Sequence, residues 1–116
     1  MQGIANEPNI SVYAAAKAGI LGLARGMAID FAAFGVRVNA VCPSAIGDTG
    51  MMENALRSVE SPEAVVAAAN KAIPLGRMGT PGEIAAAVYF LSAPEGSCIS
   101  GATLVVDGAL LARLAV

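Results

Sequence analysis

Residues 11–41 read SVYAAAKAGILGLARGMAIDFAAFGVRVNAV, a long apolar stretch followed by a glycine and an alternating run. The stretch predicts a helix from about Ser11 to Ala33, with Ser11 as an acceptable N-cap residue. Gly35 predicts the end of this helix, because glycine readily adopts the left-handed conformation found just past helix ends. Residues 36–41 alternate in polarity and predict a strand. A long helix joined by a short turn to a strand is half of an α/β unit.

The segment after this strand predicts two helices. Residues 44–61 are rich in Gly, Met and Ser, with a short helix expected around residues 51–59. The next helix begins at Ser61-Pro-Glu63, because serine can cap a helix, proline suits its first position and an acidic residue suits its first turn. This helix is expected to end before Pro74.

The last third of the chain predicts one more helix and a second strand. Thr80-Pro-Gly-Glu83 has the form of a capping box, so a helix is expected from Pro81 to about Leu91. Its core-facing stripe consists of Ile84, Val88 and Leu91. Residues 103–107 are a short apolar, β-branched run that predicts a buried strand of a parallel sheet.

The order helix, strand, helices, strand predicts an α/β fold with one right-handed crossover between two parallel strands. Two strands alone make a poor sheet, because independent stability normally needs three or more strands or extensive helix cover. The chain is therefore expected to be the second half of a larger doubly wound domain, with two strands and three to four helices.

The composition narrows the possible functions. Hydrophobic residues make up 56% of the 116 residues and charged residues only 14%, so partners are expected to cover some apolar surface. The net charge of −2 offers no basic surface for nucleic acid. Histidine is absent, and Cys42 and Cys98 match no metal or redox spacing. We expect reduced thiols, a soluble cytoplasmic protein and no membrane contact, because Lys17, Arg25 and Asp30 interrupt the longest apolar run.

Tyr13 and Lys17 are the residues with the clearest chemistry. Residues four apart share one face of a helix, so this phenol and this ammonium are expected to lie side by side. An ordinary phenol has a pKa of about 10, and a neighbouring cation favours its ionised form. The pair is therefore a plausible general acid/base unit. The alternative is that Tyr13 is an amphipathic residue at the rim of a helix.

Four sequence blocks carry a family resemblance. They are Tyr13-x-x-x-Lys17, Gly35-Val-Arg-Val-Asn-Ala-Val-Cys-Pro43, residues 73–85 (IPLGRMGTPGEIA) and Ser100-Gly-Ala-Thr-Leu-Val-Val-Asp-Gly108. In this order and at these spacings the chain resembles the C-terminal half of a classical short-chain dehydrogenase/reductase, from about residue 10 to residue 109. The resemblance implies a Rossmann-type sheet, a cofactor that is NAD or NADP, and interconversion of an alcohol and a ketone.

The resemblance also implies roles for single residues. Tyr13 would be the catalytic acid/base, and Lys17 would lower the pKa of the tyrosine and hold the nicotinamide ribose, so both also count as cofactor-binding. Pro43 and Ser44 would begin the loop that faces the nicotinamide, with Ser44 in place of the usual glycine. The backbone of Ile46 would contact the carboxamide.

The family's cofactor-contacting threonine falls on Asp48 if the loop is aligned without a shift. Thr49 would take this role if the loop shifts by one residue, and we expect the shift.

The family resemblance also implies which parts of the family domain have no counterpart in these residues. The family's Gly-rich motif has no counterpart in these residues, and its catalytic serine would fall one position before Met1. We therefore expect residues 1–116 to be the C-terminal portion of one dinucleotide-binding domain, inactive alone, whether by truncation, a mis-assigned start or fragmentation. The alternative is a non-catalytic association module that forms a homo-oligomer through helix 11–33.

Overall fold

The computed structural model describes residues 1–113, so the last three residues of the expected 1–116 domain portion lie outside the described residues. The described part contains four α-helices, two strands and two short 3₁₀ helices, which confirms the α/β fold class. The main elements are α1 (Ser11–Asp30), β1 (Ala40–Pro43), α2 (Gly50–Arg57), α3 (Pro62–Ala72), α4 (Pro81–Ser92) and β2 (Thr103–Val106). The 3₁₀ helices are Ala32–Phe34 and Pro94–Gly96.

Strands β1 and β2 form a two-stranded parallel sheet. The Gly101 N–H donates to the Val38 carbonyl at 2.7 Å, and the Ala40 N–H donates to the Ala102 carbonyl at 2.9 Å. Both partners advance along the chain in the same direction, which is the pattern of parallel pairing. The predicted parallel arrangement of the two strands is therefore confirmed.

The boundaries of α1 and β1 differ from those predicted. Helix α1 ends at Asp30 and a 3₁₀ turn follows, while Gly35 has the expected left-handed conformation with φ of 71°. The N-cap residue is Ile10, not Ser11, and no side chain caps this end. The regular strand begins at Ala40, four residues after the predicted start at residue 36. Just before the strand, the Val38 N–H donates to the Ser100 hydroxyl and not to a backbone carbonyl.

The chain divides into two compact units. The first comprises Met1–Cys42 and Ala86–Val105, and the second comprises Pro43–Ala85 with the residues from Val106 onward. In the first unit, residues 38, 40 and 42 of the strand region point to the same face and pack against α1, because side chains alternate along a strand. The resulting core consists of Leu21, Ala24, Ala40 and Cys42, with Val38 packed against it.

The two ends of α4 are held by different hydrogen-bonding groups. At its start, the predicted capping box is confirmed: the Thr80 N–H donates to Glu83 Oε2 at 2.9 Å and the Glu83 N–H donates to Thr80 Oγ1 at 3.3 Å. At its end, the Arg37 guanidinium donates to the Leu91 carbonyl at 2.6 Å and the Ile99 carbonyl at 2.9 Å. The carbonyls of the last helical turn lack partners within the helix, so Arg37 satisfies what the helix cannot.

The predicted core stripe of α4 is only partly correct. Leu91 is buried, but Val88 is 48% exposed. The spacing identified the apolar positions, but periodicity cannot tell whether a second layer is present to cover them.

Much apolar surface remains exposed, as the composition indicated. Among residues 1–113 no large side chain is completely buried, whereas the exposed apolar residues include Val12, Leu23, Ile29, Phe34 and Tyr89. Such extended apolar exposure is unusual for a free-standing domain.

Helix α1 has the length and the mean hydropathy, 1.3, of a membrane-spanning helix, contrary to the expectation that its charged residues interrupt the run. Core helices of soluble proteins pass the same length and composition test. Ala14, Leu21, Ala24 and Ala28 are buried, so one face of α1 is packed against protein.

Candidate active site

Tyr13 and Lys17 lie together on α1, in the first compact unit. The Lys17 Nζ atom is 5.2 Å from the centroid of the Tyr13 ring, within the distance of a cation–π contact. Tyr13 is 47% exposed and Lys17 is exposed as well, so small molecules can reach both side chains. The predicted proximity follows from the helical spacing.

The N-terminal turn packs against α1 beside this pair. The Ile4 N–H donates to the Met1 carbonyl at 2.8 Å and closes the turn. A Cβ atom on Gly3 would lie 2.8 Å from the Lys17 carbonyl oxygen and 2.9 Å from its carbonyl carbon. Only glycine permits this approach, because the obstructing atoms belong to the backbone of the helix and cannot swing away. Sequence reasoning assigned no role to Gly3, and a single glycine in a loop gives no indication of such a contact.

The loop that follows β1 lies in the second compact unit. The Ser44 N–H donates to the Val106 carbonyl at 3.2 Å, which extends the strand pairing past Pro43. Ser44 does not have a positive φ, so the replacement of the family's glycine strains nothing at this position. Ile46 forms an isolated parallel bridge with Gly79, in which the Gly79 N–H donates to the Ala45 carbonyl at 3.0 Å.

Asp48 and Thr49 have distinct structural roles in this loop. Thr49 is the N-cap residue of α2, and its hydroxyl accepts a hydrogen bond from the Met52 N–H at 3.1 Å. The same hydroxyl donates to the Ile46 carbonyl at 3.4 Å. Asp48 has a φ of 52°, in the left-handed region that aspartate tolerates better than most residues. Asp48 therefore makes the turn that places Thr49 at the start of α2.

Asn39 joins the residues before β1 to those before β2. Its Nδ2 donates to the Ile99 carbonyl at 2.8 Å, and its Oδ1 accepts from the Ala102 N–H at 3.0 Å. Both bonds lie at the entrance to the paired strands, so Asn39 holds the start of the sheet together. Arg37 has an equally extensive role that sequence reasoning missed, because an isolated arginine in a strand gives no indication of which carbonyls it reaches.

Arg77 and Glu83 form an exposed ion pair with an N–O distance of 2.6 Å. The Arg77 guanidinium and, to a smaller extent, the Thr80 backbone N–H lower the pKa of the Glu83 carboxyl to about 2. The pair fixes the segment before α4 and touches no predicted site residue.

The comparisons with known proteins cover nearly the whole chain. A family model described as "Enoyl-(Acyl carrier protein) reductase" matches residues 1–110. The chain is 44% identical over 110 residues to 2-(S)-hydroxypropyl-CoM dehydrogenase 3 of Xanthobacter autotrophicus, covering 95% of this chain and 43% of the relative. The chain belongs to the short-chain dehydrogenase/reductase family. The predicted family membership is thereby confirmed, and the family is one of oxidoreductases.

Solved structures of this family share the fold. The aldohexose dehydrogenase of Thermoplasma acidophilum superposes with a TM-score of 0.89 at 35% identity, over 99% of this chain and 46% of that one. A 4-hydroxyisoleucine dehydrogenase complexed with NADH matches at 26% identity with a TM-score of 0.85, over 97% of this chain and 44% of that one. The chain thus spans less than half the length of the relatives it matches, and its neighbours have the expected Rossmann-type fold.

Proposed function

We propose that this chain carries the catalytic pair of an NAD(P)-dependent oxidoreductase that interconverts a secondary alcohol and a ketone. The observation that supports the proposal most directly is the position of the Lys17 ammonium, 5.2 Å from the centre of the Tyr13 ring on an accessible face of α1. The family's motif falls on these two residues, and a phenol next to a cation is a chemically suitable proton carrier.

Each residue of the pair would have one task. The Tyr13 hydroxyl would donate a proton to the carbonyl oxygen during reduction and accept it from the alcohol during oxidation. The Lys17 ammonium would stabilise the negative charge on the tyrosine oxygen and bind the ribose hydroxyls of the cofactor. The nicotinamide, when bound, supplies or accepts the hydride.

The family motif assigns the loop from Pro43 to Thr49 to the nicotinamide end of such a cofactor. The Gly47 N–H already donates to the Gly79 carbonyl at 2.9 Å, whereas the Ile46 N–H has no hydrogen-bond partner within residues 1–113. We propose that this N–H donates to the carboxamide, with Pro43 and Ser44 beside the ring. Thr49 would serve mainly by capping α2, since its hydroxyl already donates one hydrogen bond and accepts another.

Within residues 1–113 no segment has the Gly-rich strand–loop–helix that binds the pyrophosphate in dinucleotide-binding folds. We therefore propose that the 116 residues do not turn over substrate by themselves and act as part of a complete domain. Mixing the purified chain with NADH or NADPH and a panel of ketones is expected to give no oxidation of the cofactor. Turnover that Tyr13→Phe abolishes would contradict this expectation.

A chimera tests the proposed activity in a complete domain. Residues 1–110 would replace the matched region of the Xanthobacter dehydrogenase, which is 44% identical. A folded chimera is expected to couple oxidation of a secondary alcohol, with 2-(S)-hydroxypropyl-CoM included in the panel, to reduction of NAD or NADP. A cooperatively folded chimera without dehydrogenase activity on the panel would count against the proposal.

A second candidate function is association without catalysis, through the helix predicted at residues 11–33. Val12, Ile20 and Leu23 are 85%, 51% and 61% exposed and share one face of α1. A homo-oligomer formed through this face would bury them. Sedimentation of the chain is expected to show an oligomer that Leu23→Asp disrupts. Ile29→Asp is the control, because Ile29 lies on another face of the same helix and is 77% exposed.

A further inference from the structure

Asn70 lies in the last turn of α3 and bonds to the segment that follows this helix. Its Oδ1 atom accepts a hydrogen bond from the Met78 N–H at 2.9 Å. Both residues are half-buried, so solvent competes only partly for this bond. The Met78 carbonyl accepts from the Arg77 guanidinium at 3.1 Å. Met78 is therefore bonded through both its N–H and its carbonyl, and Asn70 ties it to α3.

The next residue, Gly79, is paired with the loop that follows β1. Its N–H donates to the Ala45 carbonyl at 3.0 Å, and its carbonyl accepts from the Gly47 N–H at 2.9 Å. A Cβ atom on Gly79 would lie 2.7 Å from Ile46 Cδ1, so the two segments are in direct contact. All of these residues belong to the second compact unit. The backbone of residues 78–79 thus connects the end of α3 to the loop around Ile46.

The bond to the Ala45 carbonyl fixes the direction of the Ile46 N–H. These two groups belong to one planar trans peptide, so they point in opposite directions. The carbonyl points to Gly79, and the N–H therefore faces the other side, where it has no hydrogen-bond partner within residues 1–113. The Ile46 carbonyl is fixed separately, because it accepts from the Thr49 hydroxyl at 3.4 Å. A free N–H with a fixed direction suits a ligand that presents an acceptor, such as a carboxamide oxygen.

We propose that Asn70 is a positioning residue that orients the Ile46 N–H toward the carboxamide of a nicotinamide cofactor. Asn70 acts through the backbone of Met78 and Gly79 and does not itself touch the cofactor. Because Asn70 belongs to α3, a displacement of that helix would also turn the Ala45–Ile46 peptide. The carboxamide step rests on the proposed function, whereas the coupling between Asn70 and this peptide stands without it.

Two substitutions separate the acceptor of Asn70 from its shape. Asn70→Leu keeps a branched side chain but accepts no hydrogen bond, so the half-buried Met78 N–H loses its partner. Asn70→Asp keeps an oxygen acceptor at the same position. Asn54→Leu is the matched control, because Asn54 is exposed on α2 and its side chain makes no hydrogen bond within residues 1–113.

Amide hydrogen exchange in the 116-residue chain tests the coupling without any cofactor. The N–H groups of Gly47 and Gly79 are expected to exchange about fivefold faster, or more, in Asn70→Leu than in the unmodified chain. The reason is that both groups donate across the Ile46–Gly79 bridge, which loosens when the segment at Met78 is no longer tied to α3.

The control measurements exclude a general loss of stability. In Asn70→Asp and Asn54→Leu, exchange of the same two N–H groups is expected to stay within about twofold of the unmodified chain. The Ala40 N–H, which donates to the Ala102 carbonyl in the first unit, serves as the internal reference for global unfolding. Its exchange is expected to be unchanged in all three variants.

Cofactor binding to the chimera with the Xanthobacter dehydrogenase tests the carboxamide step. Dissociation constants would be measured for NADH or NADPH, whichever binds more tightly, and for its thionicotinamide form, in which sulfur, a weaker acceptor, replaces the carboxamide oxygen. Asn70→Leu is expected to weaken binding of the oxygen form about fivefold and of the sulfur form less than about twofold. A purely structural role would weaken both forms equally.

Three outcomes would overturn the proposal. Unchanged exchange of Gly47 and Gly79 in Asn70→Leu, or equally faster exchange in Asn54→Leu, would contradict the coupling. Equal weakening of both cofactor forms would contradict the positioning role. Faster exchange in the chain, together with a folded chimera that binds neither cofactor form, would support the coupling and count against the proposed function and the carboxamide step that rests on it.

Discussion

Replacing Arg37 with methionine is expected to lower the free energy of unfolding by about 2–3 kcal/mol. The guanidinium makes two short, partly buried hydrogen bonds, at 2.6 Å to the Leu91 carbonyl and 2.9 Å to the Ile99 carbonyl. Hydrogen bonds from a charged group contribute about 1.5–3 kcal/mol each when they are removed. The expected total is at or somewhat below twice the lower limit of that range, because Arg37 is itself only half-buried and water can reach the carbonyls once the side chain is gone.

The assay is urea unfolding followed by circular dichroism at a helical wavelength. Arg37→Met is compared with Arg25→Met, which removes the same charge from an exposed position on α1 that makes no side-chain hydrogen bond or ion pair within the described residues. Arg37→Lys keeps the charge but not the planar array of donors, so it is expected to lose about 1–1.5 kcal/mol.

The expected order of stability is Arg25→Met, then Arg37→Lys, then Arg37→Met. Equal stability of the two methionine variants, within about 0.5 kcal/mol, would refute the view that Arg37 holds the end of α4.

Two further predictions concern acid stability and the N-terminal turn. The lowered pKa of Glu83, about 2, means that the Arg77–Glu83 pair stabilises the fold fully above the ordinary carboxyl pKa of 4.5 and loses this effect as the pH falls toward 2. Between pH 6 and pH 2, the urea midpoint is expected to fall less steeply in Glu83→Gln than in the unmodified chain. If the midpoint falls equally steeply in both, the Arg77–Glu83 pair does not stabilise the fold in this way. Gly3→Ala is expected to cost about 1–3 kcal/mol, because the new methyl would lie 2.8 Å from the Lys17 carbonyl oxygen. A free energy of unfolding equal to that of the unmodified chain would show that the N-terminal turn is not packed against α1.

The sequence predicted the elements that depend on local chemistry. Pro62 and the Thr80–Glu83 capping box mark helix starts that the structure has at the same residues. Gly35 has the left-handed conformation that ends the first helical segment. In each case the residue type restricts its own backbone or satisfies a nearby N–H, so the information needed is contained in a few neighbouring residues.

Features that depend on distant partners were not predictable in this way. The strand starts at Ala40 because the β2 ladder begins there, and alternation alone cannot locate the partner. The bonds from Arg37 join residues more than fifty positions apart. The Tyr13–Lys17 proximity was predicted because both residues lie on one helix, whereas their roles rest on the family motif and are still a prediction.

The role of Tyr13 in proton transfer is the central claim, and one rate comparison tests it most directly. In the chimera with the Xanthobacter dehydrogenase, kcat would be measured for Tyr13→Phe and for Tyr89→Phe, which removes the chain's other phenol hydroxyl from a position 74% exposed on α4. Loss of a positioned acid/base is expected to reduce kcat by about 10²–10⁴-fold in Tyr13→Phe, with Tyr89→Phe unchanged. A folded Tyr13→Phe chimera with the same kcat as the unsubstituted chimera would contradict the claim.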